Sequence, residues 1–410
     1  MSIVTKNNFL PTILYILIAM LPISLLSGSL IINTFHFLIS IIFLIEIFKE
    51  KKFYFFQNNI FYMLFFFWIS LIINLIFSIN PEAGTLRSVG FVRIILLIFA
   101  IKYIFSYENY KYKNNILKVW FIIFIIVSID LLFEFIFGRN ILGYSSYIPG
   151  RLAGFLDDEL KIGGYYLGFI LISLTYIIYK YEKKNYLLLI FFLLTFFIIS
   201  FLIGERSNFI KITLLIFFFS LIYFKDHIIK FLIIFSCSFV ILLGFIFSND
   251  DLKYRYYDQL KDTKLEEYYY FQHYKSAIVI FKEYPFFGVG IKNFRNEILN
   301  KKYEKEQVWN NRHIKSTHPH QINFEILSET GIFGFACYVI FFFLSLIKAF
   351  KEYLKNKNLL LLSSIIFIVV SLNPILPSGS FFTTYSATIF WINYAIMITF
   401  SDYKKDQLKN

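Results

Sequence analysis

A chain of 410 residues that is 58% hydrophobic and only 16% charged, with 55 Phe and 30 Tyr, cannot solvate the surface of a soluble domain. Water-soluble fold classes are thereby excluded and a polytopic membrane protein is left. The formal net charge of +13 would suit a nucleic-acid binder, but the lysines stand in short clusters between apolar segments, the pattern of loops retained on the cytoplasmic side of a membrane. No nucleic-acid partner is therefore expected. Cys237 and Cys337 fall inside apolar segments and read as buried thiols rather than a disulfide or metal site.

A helix needs about 20 apolar residues to cross the hydrocarbon core. Segments near 9–26, 30–47, 60–78, 89–106, 116–137, 163–180, 186–203, 208–224, 230–248, 321–346, 358–373 and 383–401 meet that rule. They predict an all-α protein with about twelve transmembrane helices in one continuous bundle over residues 1–410. The first segment follows a single early lysine and lacks a small-residue cleavage site, so it reads as a retained span.

Charge sorts the connections. Lys49, Lys51 and Lys52 follow the second segment, Lys111 and Lys113 the fourth, Lys180, Lys183 and Lys184 the sixth, and Lys225 and Lys230 the eighth. Lys348, Lys351, Lys355 and Lys357 follow the tenth, and Lys404 and Lys405 the twelfth. The even connections are thus short, lysine-rich and cytoplasmic, which places both termini inside. The odd connections lie on the opposite face, and four of them hold nearly all the unusual residues. Gly138–Gly164 gathers Arg151, Asp157, Asp158 and Glu159 among helix-breaking glycines and Pro149. A tight turn carries Gly204, Glu205, Arg206, Ser207 and Asn208. The segment 249–319 is the one sizeable stretch between spans and reads as helices lying over the bundle. Asn373–Phe382, NPILPSGSFF, is a Pro/Gly-interrupted re-entry suited to lining a cavity.

Five stretches on this face, in this order, resemble the O-antigen ligase/polymerase family of bacterial envelope glycosyltransferases. They are GRLAGFLDDELKIGGYYLG at Gly150–Gly168, GERSN at Gly204–Asn208, HYKSAIVIFKEYPFFGVGIKNFR at His273–Arg295, THPHQINFEILSETGIFG at Thr317–Gly334, and SGSFF at Ser378–Phe382. The resemblance implies an inner-membrane enzyme of lipopolysaccharide biosynthesis, with 249–319 as a periplasmic loop between spans 9 and 10. It implies metal-independent, cofactor-free, inverting transfer of a glycan from undecaprenyl pyrophosphate to an acceptor hydroxyl. In a ligase the acceptor is a sugar of the lipid A core; in a polymerase it is the end of another lipid-linked glycan. The ligase is the preferred reading. A transporter of lipid-linked sugars is the alternative of a different class, but the chain shows no internal repeat with paired interrupted helices. Two positions depart from the family. Gln321 stands where an Asn usually follows the motif histidine, and YYYFQHYK around His273 and Lys275 lacks the usual loop arginine. Arg255, Arg295 and Lys275 are the candidates for that second cation.

Such chemistry asks for cations at a pyrophosphate leaving group and a base for the acceptor hydroxyl. Arg206 meets the first need, since guanidinium binds phosphate bidentately and a following helix start adds N–H donors; an interfacial anchor is its plainer role. His320, placed after Pro319 at a helix mouth, is the candidate base or a completing phosphate ligand. Arg151, Asp158 and Glu159 could hold acceptor sugar hydroxyls, or neutralise one another in a solvated loop; three consecutive acids cannot converge on a metal. Helical spacing sets Phe324 and Leu327 beneath His320. It leaves Glu325 and Glu329 to bind acceptor, orient a neighbour or pair with a basic loop residue. Gly331 and Gly334 read as sites of close helix packing. Arg93, Asp130 and Glu134 lie within spans, and a structural Arg93–Asp130/Glu134 bridge is expected, with Arg87 and Arg93 as pyrophosphate contacts the sharper alternative.

Overall fold

The computed structural model describes residues 9–107, 111–181, 186–261, 269–300, 303 and 316–402, without the side chains of residues 158, 186 and 269. Among the described residues there are helices and no strands. Every predicted segment coincides with helix, and eight helical stretches are long and apolar enough to cross a membrane. They are Ser29–Lys49 (α3), Asn59–Ile76 (α4), Pro81–Phe105 (α5, Pro81–Ser88, continued by α6, Val92–Phe105), Lys113–Phe137 (α7), Ile162–Tyr181 (α8), Arg206–Tyr223 (α10), Lys225–Ser248 (mostly α11, Ile228–Ser248) and Ile322–Asn356 (α16). Three apolar helices are shorter: Phe9–Ala19 (α1), Tyr186–Leu202 (α9) and Leu359–Ser371 (α17). The first predicted span is broken at Met20, where Pro22 in Leu21–Leu26 (α2) removes a helical donor.

The last helix, Thr384–Ser401 (α18), sits at the centre. All of its residues but Ser386 are buried, and it packs against α3, α6, α8, α16 and α17. Lipid offers no hydrophobic drive for helices to associate, so close packing and internal hydrogen bonds must hold the bundle. Both are present. A Cβ on Gly168 of α8 would lie 2.4 Å from Ile389, so that glycine lets α8 and α18 touch, and Asn393 Nδ2 donates to the Gly168 carbonyl at 3.1 Å. Thr388 and Thr399 bond to carbonyls four residues earlier. At the opposite end from the motifs, Asp402 beyond α18 pairs with both Lys102 of α6 and Lys348 of α16.

The segment after α11 forms short helices at Asp250–Lys253 (α12), a π-helical turn at Tyr254–Asp258, Gln259–Lys261 (α13), Tyr269–Glu283 (α14) and Phe294–Glu297 (α15). Ala277, Ile280, Val289, Phe294, Ile298 and Tyr303 make a small second core against Phe324 of α16.

Three expectations are corrected. Gly331 does not serve helix packing. It breaks α16 at φ 62, ψ −167, and the irregular stretch Pro285–Gly290 docks in the gap. Ile332 and Phe333 N–H donate to the carbonyls of Pro285 and Phe286, while Val289 and Gly290 N–H donate to those of Ser328 and Glu329. A Cβ on Gly331 would stand 2.4 Å from the Phe286 backbone. The Arg93–Asp130/Glu134 bridge is also absent, because loop amides occupy both carboxylates. Asp130 accepts from Ile141 N–H at 2.9 Å, and Glu134 from Ala153 and Gly154 N–H at 2.8 and 2.7 Å. Cys237, finally, is exposed on α11 rather than buried, and Cys337 is intermediate, since α11 packs the bundle with only a narrow face: Phe231, Phe235, Ser238 and Leu242.

Candidate active site

The GERSN turn is fixed by backbone contacts that only glycines permit. Gly204 has φ +74, and a Cβ there would fall 1.9 Å from the Gly150 carbonyl; Gly150 has φ +70 and abuts the Asp251 carbonyl. Two loops and the α12 segment with its π-helical turn therefore meet backbone to backbone, and each brings an arginine. Arg151 lies 3.3 Å from Glu205 and donates to the Leu160 carbonyl. Arg255 donates through Nε to the Gly204 carbonyl at 2.9 Å and through Nη1 to Gln259. Arg206, the first residue of α10, donates Nη1 to the Arg255 carbonyl at 3.3 Å. Burial and the neighbouring Arg206 and Arg151 hold Arg255 below its ordinary pKa. Glu205 is the counter-charge. It accepts from Gly163 N–H at the start of α8 and from Asn208, and burial pushes its carboxyl up against the opposing pull of Arg151.

His320 sits at the mouth of α16 with φ +55. A left-handed backbone costs an L-residue about 1–2 kcal/mol, so the surroundings must hold it there. Ser378 N–H donates to the His320 carbonyl at 2.7 Å, and Ile322 N–H donates to Ser378 Oγ. Gln321 caps α16 through Phe324 N–H and donates to the Asn373 carbonyl, while Asn323 donates to the Leu372 carbonyl. The NPILPSGSFF stretch is thus laced to the α16 N-terminus. The His320 ring stands 4.2 Å from that of His318, 5.4 Å from His273 and 5.5 Å from Tyr270, between ring centroids. Burial holds the His320 pKa down to about 4 and His318 well below the usual value, so both rings are neutral near pH 7. Among the described residues no group of three or more His, Cys, Asp or Glu is arranged to hold a metal ion.

These elements enclose a cavity of about 590 Å³. Its walls carry His318, His320 and Tyr270, and five cationic side chains from four segments: Arg87, Lys161, Lys211, and Lys292 with Arg295. Glu205 is its one carboxylate among the described residues. Leu167, Phe367, Phe381, Ile389 and Phe390 supply an apolar side. Arg87 donates to Thr384. Lys292, at φ +65, donates to Ser380 Oγ at 3.1 Å, and Ser380 in turn donates to Glu325, which also accepts from Phe381 N–H at 2.7 Å. Glu325 therefore anchors the cavity wall, a role that spacing from His320 alone did not suggest. Glu329 is buried beside the Lys292 and Phe294 backbone without a hydrogen bond of standard geometry.

The predicted residues divide accordingly. Arg295 and His320 line the cavity, and His273 is buried against His320. Arg151, Arg206 and Arg255 form the adjoining arginine cluster. Gln321 is buried and spends its amide on backbone. Lys275 is exposed on α14 away from the cavity walls, and Glu159 is exposed and paired with Lys161. The Asp158 side chain lies outside the described residues. Lys211 and Lys292 were not singled out in the sequence. Lys211, a cation inside an apolar segment as Arg93 is, does carry a signal; Lys292, in a loop near Arg295 and Glu297, has none of its own.

Residues 189–339 match the family described as O-antigen ligase, which supports the resemblance drawn from the motifs. The matched stretch contains GERSN and the His273–Arg295 and Thr317–Gly334 motifs. No curated protein matches the chain.

Proposed function

Because residues 189–339 carry the O-antigen ligase family pattern, we propose that this membrane protein transfers a glycan from undecaprenyl pyrophosphate to a hydroxyl of a lipid A core sugar. The reaction would take place at the periplasmic face of the inner membrane. The observation that carries the reading is the cavity, where five cations and an unprotonated His320 meet beside an apolar wall.

The diphosphate occupies the cationic part and the polyprenyl chain follows the apolar side. The acceptor oxygen attacks the anomeric carbon as its bond to the diphosphate oxygen breaks, and the configuration inverts. His320 takes the hydroxyl proton, and the electron pair leaves with undecaprenyl pyrophosphate. Cations aimed at the leaving oxygens stabilise the charge that develops there. A histidine held near pKa 4 is a weak base, and a bound anion beside it raises its basicity. The arginine cluster serves through the α10 N-terminus, whose free N–H groups face an anion, and Arg206 and Arg255 reinforce that positive end. Arg151 and Glu159 belong to the acceptor side, and no metal or other cofactor is assigned a step.

The test uses purified protein in liposomes with a lipid-linked glycan and a lipid A core acceptor. Mass spectrometry should find the acceptor heavier by the glycan. A longer lipid-linked glycan with unchanged acceptor would replace the ligase by a polymerase. Translocation without transfer would replace both by a transporter.

A further inference from the structure

Five residues beyond Arg206, α10 carries a second cation that faces a different way. Lys211 is 2% exposed, lines the 590 Å³ cavity, and has no hydrogen-bond or ion-pair partner among the described residues. Ser207, Asn208 and Lys211 are spaced for one helix face, and all three line the cavity, whereas Arg206 does not. Arg206 turns instead to the Arg255 carbonyl. At 1.5 Å per residue, Lys211 lies about 7.5 Å farther along the axis and so deeper in the bundle. The neighbouring residues of the helix, Ile210, Ile212, Leu214 and Leu215, are apolar. A buried ammonium in such a helix needs an anion or a wet cavity to face, and Glu205, the one carboxylate on the described cavity wall, is committed to Arg151, Gly163 and Asn208.

We infer that Lys211 binds the lipid-side phosphate of the carrier, leaving the sugar-side phosphate to the α10 N-terminus and its arginines. The inference rests on the proposed function, because it takes the diphosphate to occupy this cavity. Its physical content is an ordering by depth. A polyprenyl chain enters from the membrane, so the phosphate bonded to it is the deeper of the two and meets the deeper cation.

Depth makes a prediction that a merely structural lysine does not. Binding of undecaprenyl pyrophosphate and of undecaprenyl monophosphate is measured on wild type, Lys211→Met, Lys211→Gln, Lys211→Arg and Arg206→Ala in nanodiscs, alongside thermal unfolding. Losing a charge-assisted contact weakens affinity about tenfold or more. Lys211→Met should weaken both carriers by that factor, Lys211→Arg should largely restore them, and Arg206→Ala should weaken the diphosphate alone. Lys211→Gln repeats the measurement if the Met variant does not fold. Wild-type affinity for both carriers in a folded Lys211→Met or Lys211→Gln protein would overturn the inference and leave the proposed function standing. Failure of wild type to bind either carrier would overturn both.

Discussion

His320 combines two costs, a left-handed backbone and a half-buried, desolvated ring, at the point where the proposed chemistry needs a neutral base. His320→Ala should abolish transfer while leaving insertion unchanged, as read by product formation against protein recovered from membranes. The lowered pKa also carries a stability signature. Between about pH 4 and the unfolded value of 6.5 the unfolded chain binds a proton that the folded chain refuses. Stability from this group is complete above pH 6.5 and is lost as pH falls through 4. The magnitude is up to about 3 kcal/mol, and thermal unfolding of His320→Gln should depend less on pH across that window than wild type. For Arg206→Ala, loss of a donor stabilising the leaving group should lower kcat about 100-fold or more, measured in the same transfer assay. Both residues stood out in the sequence because motif and expected topology coincided at them. Lys292 did not, since its meaning comes from Ser380 and Glu325, 88 and 33 positions away.

At the scale of elements, α16 depends on being broken. The Gly331 conformation is essentially glycine-only, and the docked Phe286 backbone leaves no space for a Cβ. Gly331→Ala should therefore lower stability by about 1–3 kcal/mol and suppress transfer, because the break holds Lys292 and Glu325 in register with the cavity. Gly244→Ala in α11 meets open space and should leave unfolding unchanged or gain up to about 1 kcal/mol. A second device is the pair of α7 carboxylates that pin the Arg151 loop through its amides. Sequence patterning located the helices and marked the glycines and acids as unusual. It could not name their partners, because an Arg–acid bridge and an acid–amide anchor look the same until the loop is placed.

For the whole molecule, the fold gathers the five motif stretches at one end and the Asp402–Lys102–Lys348 clamp at the other, while which end faces the periplasm is an expectation from the charge pattern. What composition could not reveal is that the least lipid-like of the predicted spans, α18, is the central one: threonines and an asparagine are tolerated there because each finds a carbonyl. In a background lacking Cys237 and Cys337, Ser145→Cys should react with an impermeant thiol reagent from the periplasmic side and Lys225→Cys from the cytoplasmic side. The reverse pattern would invert the topology.

If the cationic cavity is where transfer occurs, glycan transfer is coupled one to one to release of the carrier diphosphate. The decisive measurement counts undecaprenyl pyrophosphate released against acceptor glycosylated, with purified wild-type, Arg206→Ala and His320→Ala proteins. Wild type should release one carrier per acceptor modified, His320→Ala should form neither product, and Arg206→Ala should form both at about a hundredth of the wild-type rate or less. Transfer at the wild-type rate by either variant, or glycosylated acceptor without released diphosphate, would contradict this mechanism.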